Sequence, residues 1–276
     1  MKTAPYFVLL AFGLCACSGD DGAGSGGGDA SGSGVVEVSG GTIYHSINRL
    51  ATELSGDIPD YSGLAVELFA LESLQTNANP RALASTPLPS GCSTTRSCDW
   101  TLGEVNLGTV KEGLVARLAD PRSEPIWVST FTRFLDATEL AAAKNAGQTD
   151  AGRAFAVSRE AVRVVLEPIA GLDAEELLAR GFIFGLVYDP SGAPISGATV
   201  EPGNPDLTIV YPNDRFTGVE AETTMQGAFL AIAFEADAAP TTLTVTAPSS
   251  GLTWDPSELG LTVPGSIYFA LLVANR

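Results

Sequence analysis

The chain has 276 residues, with 15 Lys+Arg against 32 Asp+Glu and a net charge of −17. That acidity argues against nucleic acid as a partner, since affinity there comes from basic side chains neutralising phosphates. It also argues against docking of the folded part on an anionic bilayer. Hydrophobic residues make up 45% of the chain, enough to bury one large or two modest cores.

Lys2 opens a short basic start, and an apolar run from Tyr6 to Ala16 ends in Leu14-Cys15-Ala16-Cys17. The run is too short for a spanning helix, which needs about twenty residues, and it reads as a secretory signal peptide over 1–16. Leu14 stands three residues before Cys17 and Ala16 immediately before it, so the segment resembles a bacterial lipobox. The resemblance implies that Cys17 is diacylated and becomes the mature N-terminus, an attachment that more than one acyl chain makes stable. Cys15 is the poorer acceptor, because Leu14 would then occupy the place reserved for a small residue. A retained membrane anchor and an unlipidated signal peptide stand as alternatives. Lipidated Cys17 and the Gly/Ser stretch that follows it, SGDDGAGSGGGDASGSG, make residues 17–34 a flexible tether. Its r.m.s. span is about 20–25 Å and its limit about 60 Å. Lipoproteins of this kind retained at the inner membrane often carry Asp after the lipidated cysteine. Ser18 stands there, which leans toward the outer membrane.

Residues 35–135 carry apolar, β-rich runs at Gly63–Leu71, Trp100–Leu107, Gly113–Leu118 and Ile126–Phe134, and predict an N-terminal β-sandwich. Once Cys15 has left with the signal and Cys17 holds lipid, Cys92 and Cys98 remain. In an oxidising compartment that pair predicts a disulfide, worth about 2–2.5 kcal/mol by loop closure. The spacing is not the Cys-x-x-Cys of a redox pair, and two cysteines with one histidine cannot build a four-ligand zinc centre without carboxylates. Residues 136–180 predict a helical connector, with a helix over Thr138–Asn145, a Ser158 cap, a stop at Gly171, and Asp173 spaced from Glu176 as in a capping box.

Residues 181–276 are the clearest. Phe182–Tyr188 is aromatic and β-branched, Asp189-Pro190-Ser191-Gly192 is a turn, and Leu243–Thr246 alternates with period two. The stretch GLVYDPSGAPISGATV, followed by TTMQGAF, resembles the carboxypeptidase regulatory-like domain, a transthyretin-like (prealbumin-like) sandwich. Gly185, Val187, Asp189, Gly192, Pro194, Gly197, Ala198, Val200, Thr223, Gly227 and Phe229 carry the likeness, and Thr224 departs from the usual Asp. The resemblance implies a non-catalytic module. The expected fold is mainly β: two β-sandwich domains joined by a short helical connector, behind a signal peptide and a Gly/Ser linker.

His45 is the only histidine. It sits in an apparent strand, with no G-x-S-x-G elbow to accompany it and no second histidine for metallocarboxypeptidase chemistry. No cofactor and no catalytic residue is expected. Core packing is the expected fate of Trp100, Trp127 and Trp254; exposed, they could stack on a glycan, with Trp254, in a turn-rich segment, the foremost candidate for that. The reading is a membrane-anchored cell-envelope lipoprotein serving as an interaction or structural module. Its partners are the membrane, through the N-terminal lipid, and envelope proteins or glycans. A carbohydrate-binding module and, more remotely, a carboxylate-based hydrolase are the alternatives.

Overall fold

The computed structural model describes residues 34–55, 60–61, 63–76, 80–89, 92, 97–233, 240–255 and 259–275. The expected signal peptide, Cys17 and the expected tether up to residue 33 lie outside the described residues. The architecture is mainly β, in two sandwiches, as expected.

The N-terminal sandwich has two sheets. One places β1 (Val35–Tyr44) between β4 (Cys98–Asn106), antiparallel to it, and β7 (Gln148–Ala156), parallel to it. The other runs β3 (Ala84–Pro87), β2 (Ala65–Ala70), β5 (Gly113–Ala119), β6 (Ser129–Asp136), all antiparallel. The C-terminal sandwich faces a short sheet, β14 (Leu259–Leu261), β13 (Pro240–Thr246), β9 (Thr199–Pro202), against a longer one. The longer sheet is β11 (Val219–Glu220), β10 (Leu207–Pro212), β12 (Ala228–Ala233), β8 (Phe182–Tyr188), β15 (Ser266–Val273). β15 then pairs in parallel with β6, from Ser266 opposite Ser129 to Phe269 opposite Thr132. The two sandwiches therefore share one nine-stranded sheet, and residues 35–135 and 181–276 are joined by backbone hydrogen bonds.

Side-chain alternation shows how the fusion works. In β2 and β5, Val66, Leu68, Leu114, Ala116 and Leu118 point into the N-terminal core with Val36, Val38, Trp100 and Leu102. Phe69 and Val115 point the other way and join Ile183, Phe229, Leu243 and Tyr268 in the C-terminal core. The two cores lie on opposite faces of the common sheet, because successive residues of a strand face opposite ways. The second face of β8, β12 and β15 is covered by helices, through Phe182, Phe184, Leu230, Ile232, Ile267 and Phe269. β8 is thus covered on both sides, which explains why its sequence is an unbroken apolar run rather than an alternation. Tyr211 ties the two C-terminal sheets together: its hydroxyl accepts the Val200 N–H at 2.6 Å.

The connector departs from the helical expectation. α3 (Ala137–Ala146) forms, capped by Asp136 and Glu139 in a reciprocal pair, but β7 follows it and completes the first sheet. Its inward positions Gly152, Ala154 and Ala156 are small, so the strand lacks the bulky alternation that would have marked it. After it come α4 (Arg159–Ala161), capped by Ser158, a π-helical turn (Val162–Leu166), α5 (Glu167–Ala170), ended by Gly171, and α6 (Ala174–Arg180), capped by Asp173. Pro168 explains the π turn. It has no N–H to offer the Val164 carbonyl, and the chain widens so that Glu167 N–H reaches Val162 O instead. α1 (Ser46–Ser55) and α2 (Leu71–Thr76) complete the helices. Among the described residues, no helix is long and apolar enough to cross a membrane.

The Asp189–Gly192 turn is as read. Gly192 N–H bonds Asp189 O at 3.0 Å with Gly192 at φ 83°, and the Asp189 carboxylate accepts the N–H groups of Ser191 and Ala193. Thr223, in the second half of the family-like pattern, is a buried crosslink. Its hydroxyl accepts from Ala198 N at 2.9 Å and donates to Ile195 O at 2.8 Å.

Candidate functional site

The three tryptophans do not form a stacking platform. Trp100 is 3%, Trp127 2% and Trp254 8% exposed. Trp100 lies on the glycine slots of β1 and β7. Trp127 packs edge-on against Tyr44 and Tyr61 and donates its Nε1–H to Asp60 O at 3.2 Å. Trp254, despite its turn-rich context, folds back on the C-terminal core and donates to Leu272 O at 3.1 Å. A turn composition fixes the backbone but not which way a large apolar side chain packs, and burial of that much area outweighs it. Core packing, the expected fate, holds for all three, and the glycan-stacking alternative is corrected accordingly.

Cys92 and Cys98 are disulfide-bonded, with Cα atoms 5.5 Å apart. The bond holds the entry of β4 beside the loop from β3. Cys98 is buried in the N-terminal core and Cys92 is packed against it, a structural position.

His45 follows β1 directly rather than lying within it, and it caps α1. Its carbonyl accepts Asn48 N–H at 3.0 Å and its Nδ1 accepts Ile47 N–H at 3.3 Å. The ring is 4.9 Å from Phe184, 5.2 Å from Phe269 and 5.9 Å from Phe155, centroid to centroid. Burial holds its pKa down at about 4, so at neutral pH it is an uncharged core residue. Next to it, the Asn48 side chain joins two chain segments: its amide donates to Ala156 O at 2.7 Å and its oxygen accepts Ser158 N–H at 2.8 Å.

Two polar clusters lay beyond the sequence reading. One is Asp120, in the loop between β5 and β6. Its carboxylate accepts Arg122 Nε–H at 2.6 Å and Nη2–H at 2.8 Å, Ile126 N–H at 2.9 Å and Trp127 N–H at 3.1 Å. Burial alone would raise its pKa, but these donors outweigh it and hold the carboxyl below the ordinary range. The arrangement orders a loop. Asp120→Ala should destabilise the fold by about 2–4 kcal/mol in chemical denaturation, because three backbone donors, the N–H groups of Arg122, Ile126 and Trp127, lose their acceptor. The carboxylate's contribution is present at neutral pH and is lost as pH falls below 3.8 through the lowered folded value. A variant within about 0.5 kcal/mol of wild type would show that the loop does not need this anchor.

The other cluster is an open groove of about 510 Å³ beside the π turn, lined by Arg159, Glu160, Arg163, Glu167, Asp173 and Glu175 among others. Its charges serve one another. Arg163 pairs with Glu160 at 2.6 Å, Arg159 approaches Glu175 at 4.0 Å, Glu167 accepts Ala174 N–H at 3.0 Å and Asp173 caps α6. These carboxylates are helix-start charges. No group of three or more metal-ligating side chains gathers among the described residues.

No family model matches the chain, and no curated protein matches it in sequence. Among solved structures, the shaft pilin spaA from Lactobacillus rhamnosus GG is similar over 88% of this chain and 98% of its own, at 10% identity and a TM-score of 0.25. The Bacillus anthracis TIE protein is similar over 88% of this chain and 34% of its own, at 8% identity and a TM-score of 0.24. A streptococcal ancillary pilin is similar over 86% of this chain and 68% of its own, at 7% identity and a TM-score of 0.25. At these scores the likenesses carry no role across to this chain.

Proposed function

We propose that this chain is a lipid-tethered cell-envelope protein whose two fused sandwiches act as a non-catalytic interaction or structural module. The observation that carries the reading is the fate of His45. The one imidazole that a serine–histidine or histidine–metal site would require is enclosed by three phenylalanine rings and occupied in capping α1. The order of segments supports the tether: an apolar run closed by Leu14-Cys15-Ala16-Cys17, a Gly/Ser stretch, then a body whose first strand starts at Val35. Ser18 after the cysteine favours the outer membrane. The sequence motif of residues 181–276, which resembles that of carboxypeptidase regulatory-like domains, supports the same reading of a module that holds or spaces rather than reacts.

Membrane fractionation with a fatty-acid label tests the tether. Wild type should partition with membranes and carry label, and Cys17→Ser should move to the soluble fraction unlabelled. Unchanged membrane partition of Cys17→Ser would overturn it. Crosslinking of the tethered protein in intact envelopes tests the module: a reproducible partner supports it, whereas no partner together with a hydrolytic activity that disappears on deletion would overturn it.

A further inference from the structure

His45 does more than fill the core, because of where it stands. It belongs to the N-terminal sandwich, at the end of β1, and Phe155 comes from β7 of the same sheet. Phe184 and Phe269 come from β8 and β15 of the C-terminal sandwich. Phe155 stacks on Phe269 at 4.6 Å, so the imidazole is packed into an aromatic clamp spanning the joint made by β6 and β15. Its protonation state is coupled to that clamp by a specific bond. Nδ1 accepts Ile47 N–H, which places the neutral ring's own proton on Nε2. A further proton can only go to Nδ1. That proton removes the acceptor for Ile47 N–H and puts a cation at the amino end of α1, where the helix dipole is already positive.

We propose that the joint between the two sandwiches is acid-sensitive, with His45 as its sensor: a proton taken from solvent at Nδ1 frees the first turn of α1 and places a charge among Phe155, Phe184 and Phe269, loosening the pairing of β6 with β15. Burial is the cause of the depressed His45 pKa, and Glu160 and Glu167 of the helices packed on this cluster line the open groove instead. On its own segment Arg49 and Glu53 are exposed, and on β7 Arg153 is exposed. β8 brings Tyr188 to this face, a phenol that stays neutral throughout the acid range, while β15 presents Ile267 and Phe269 and turns Tyr268 to the opposite face. Burial depresses the imidazole from 6.5 to about 4. The folded state therefore binds fewer protons than the unfolded one across that interval, and stability falls as pH drops through it.

The test uses the mature chain with two variants. His45→Asn keeps a capping acceptor that does not titrate, and His45→Phe keeps the ring without it. Between pH 7 and pH 5 the folding equilibrium constant of wild type should fall about 20-fold more than that of either variant. Amide exchange at pH 5, corrected for intrinsic rates, should show lost protection in α1, β6 and β15 of wild type, restored in all three by His45→Asn and in β6 and β15 by His45→Phe, which lacks the acceptor for α1. Parallel pH slopes in all three proteins would overturn the proposal. So would protection lost evenly across both sandwiches.

Discussion

Gly185→Ala should leave little folded protein. Gly185 lies opposite Phe229 in the β8–β12 pair, and a Cβ built there falls within the Phe229 ring itself. The ring cannot give way, because Phe229 is fully buried in the C-terminal core and interiors are packed to crystal-like density. Overpacking of this kind costs about 3 kcal/mol or more, a large share of the 5–15 kcal/mol typical of a domain. Soluble yield and the denaturation midpoint are the measurements. Phe229→Ala in the same chain should recover part of the loss, because it removes the obstacle while opening a cavity of its own. A single Gly185→Ala variant that melts with wild type would refute the close packing of this pair.

The corresponding contact in the other sandwich gives the second large effect. Trp100 sits opposite Gly40 on β1, which sits opposite Gly152 on β7. The indole reaches across both, so that a Cβ at Gly152 would lie 2.6 Å from its Cη2 and 2.8 Å from its Cζ2. Trp100→Ala should cost about 3–5 kcal/mol and Gly152→Ala about 1–3 kcal/mol. In the Trp100→Ala background, Gly152→Ala should cost almost nothing, since the ring is the neighbour it strikes. A coupling below about 0.5 kcal/mol in this double-mutant cycle would mean that the ring and the glycine do not meet. Gly185 and Trp100 lie in different sandwiches, yet both substitutions should shift one common transition. The shared sheet leaves no boundary at which either half could melt alone.

Much of the β content was legible in the chain itself. Phe182–Tyr188, the Asp189–Gly192 turn and Leu243–Thr246 carry local signals that act within a few residues, and each appears where those signals put it. The same holds for the Ser158 and Asp173 caps, whose partners are three residues away. β7 was not legible, because an inward row of Gly152, Ala154 and Ala156 has no bulk to alternate. Its strand conformation comes from a partner, β1, more than a hundred residues earlier. Core packing of the tryptophans was expected and is seen, but the exposure anticipated for Trp254 was not, for a related reason. Trp254 lies among turn formers, but its position was decided by the Leu272 carbonyl and the apolar core it reached.

The chain alone determined the acidic balance, the strand-rich halves and the cysteine pair, because each depends on composition or on neighbours close in sequence. Only the tertiary structure decided that the two halves share a sheet, that their cores lie on opposite faces, and that His45 belongs to the joint. Those features arise from the parallel pairing of β15, the last strand, with β6 and β8. Parallel pairing between segments so far apart leaves no periodicity in either one; it exists only once the apolar faces of both have been buried together.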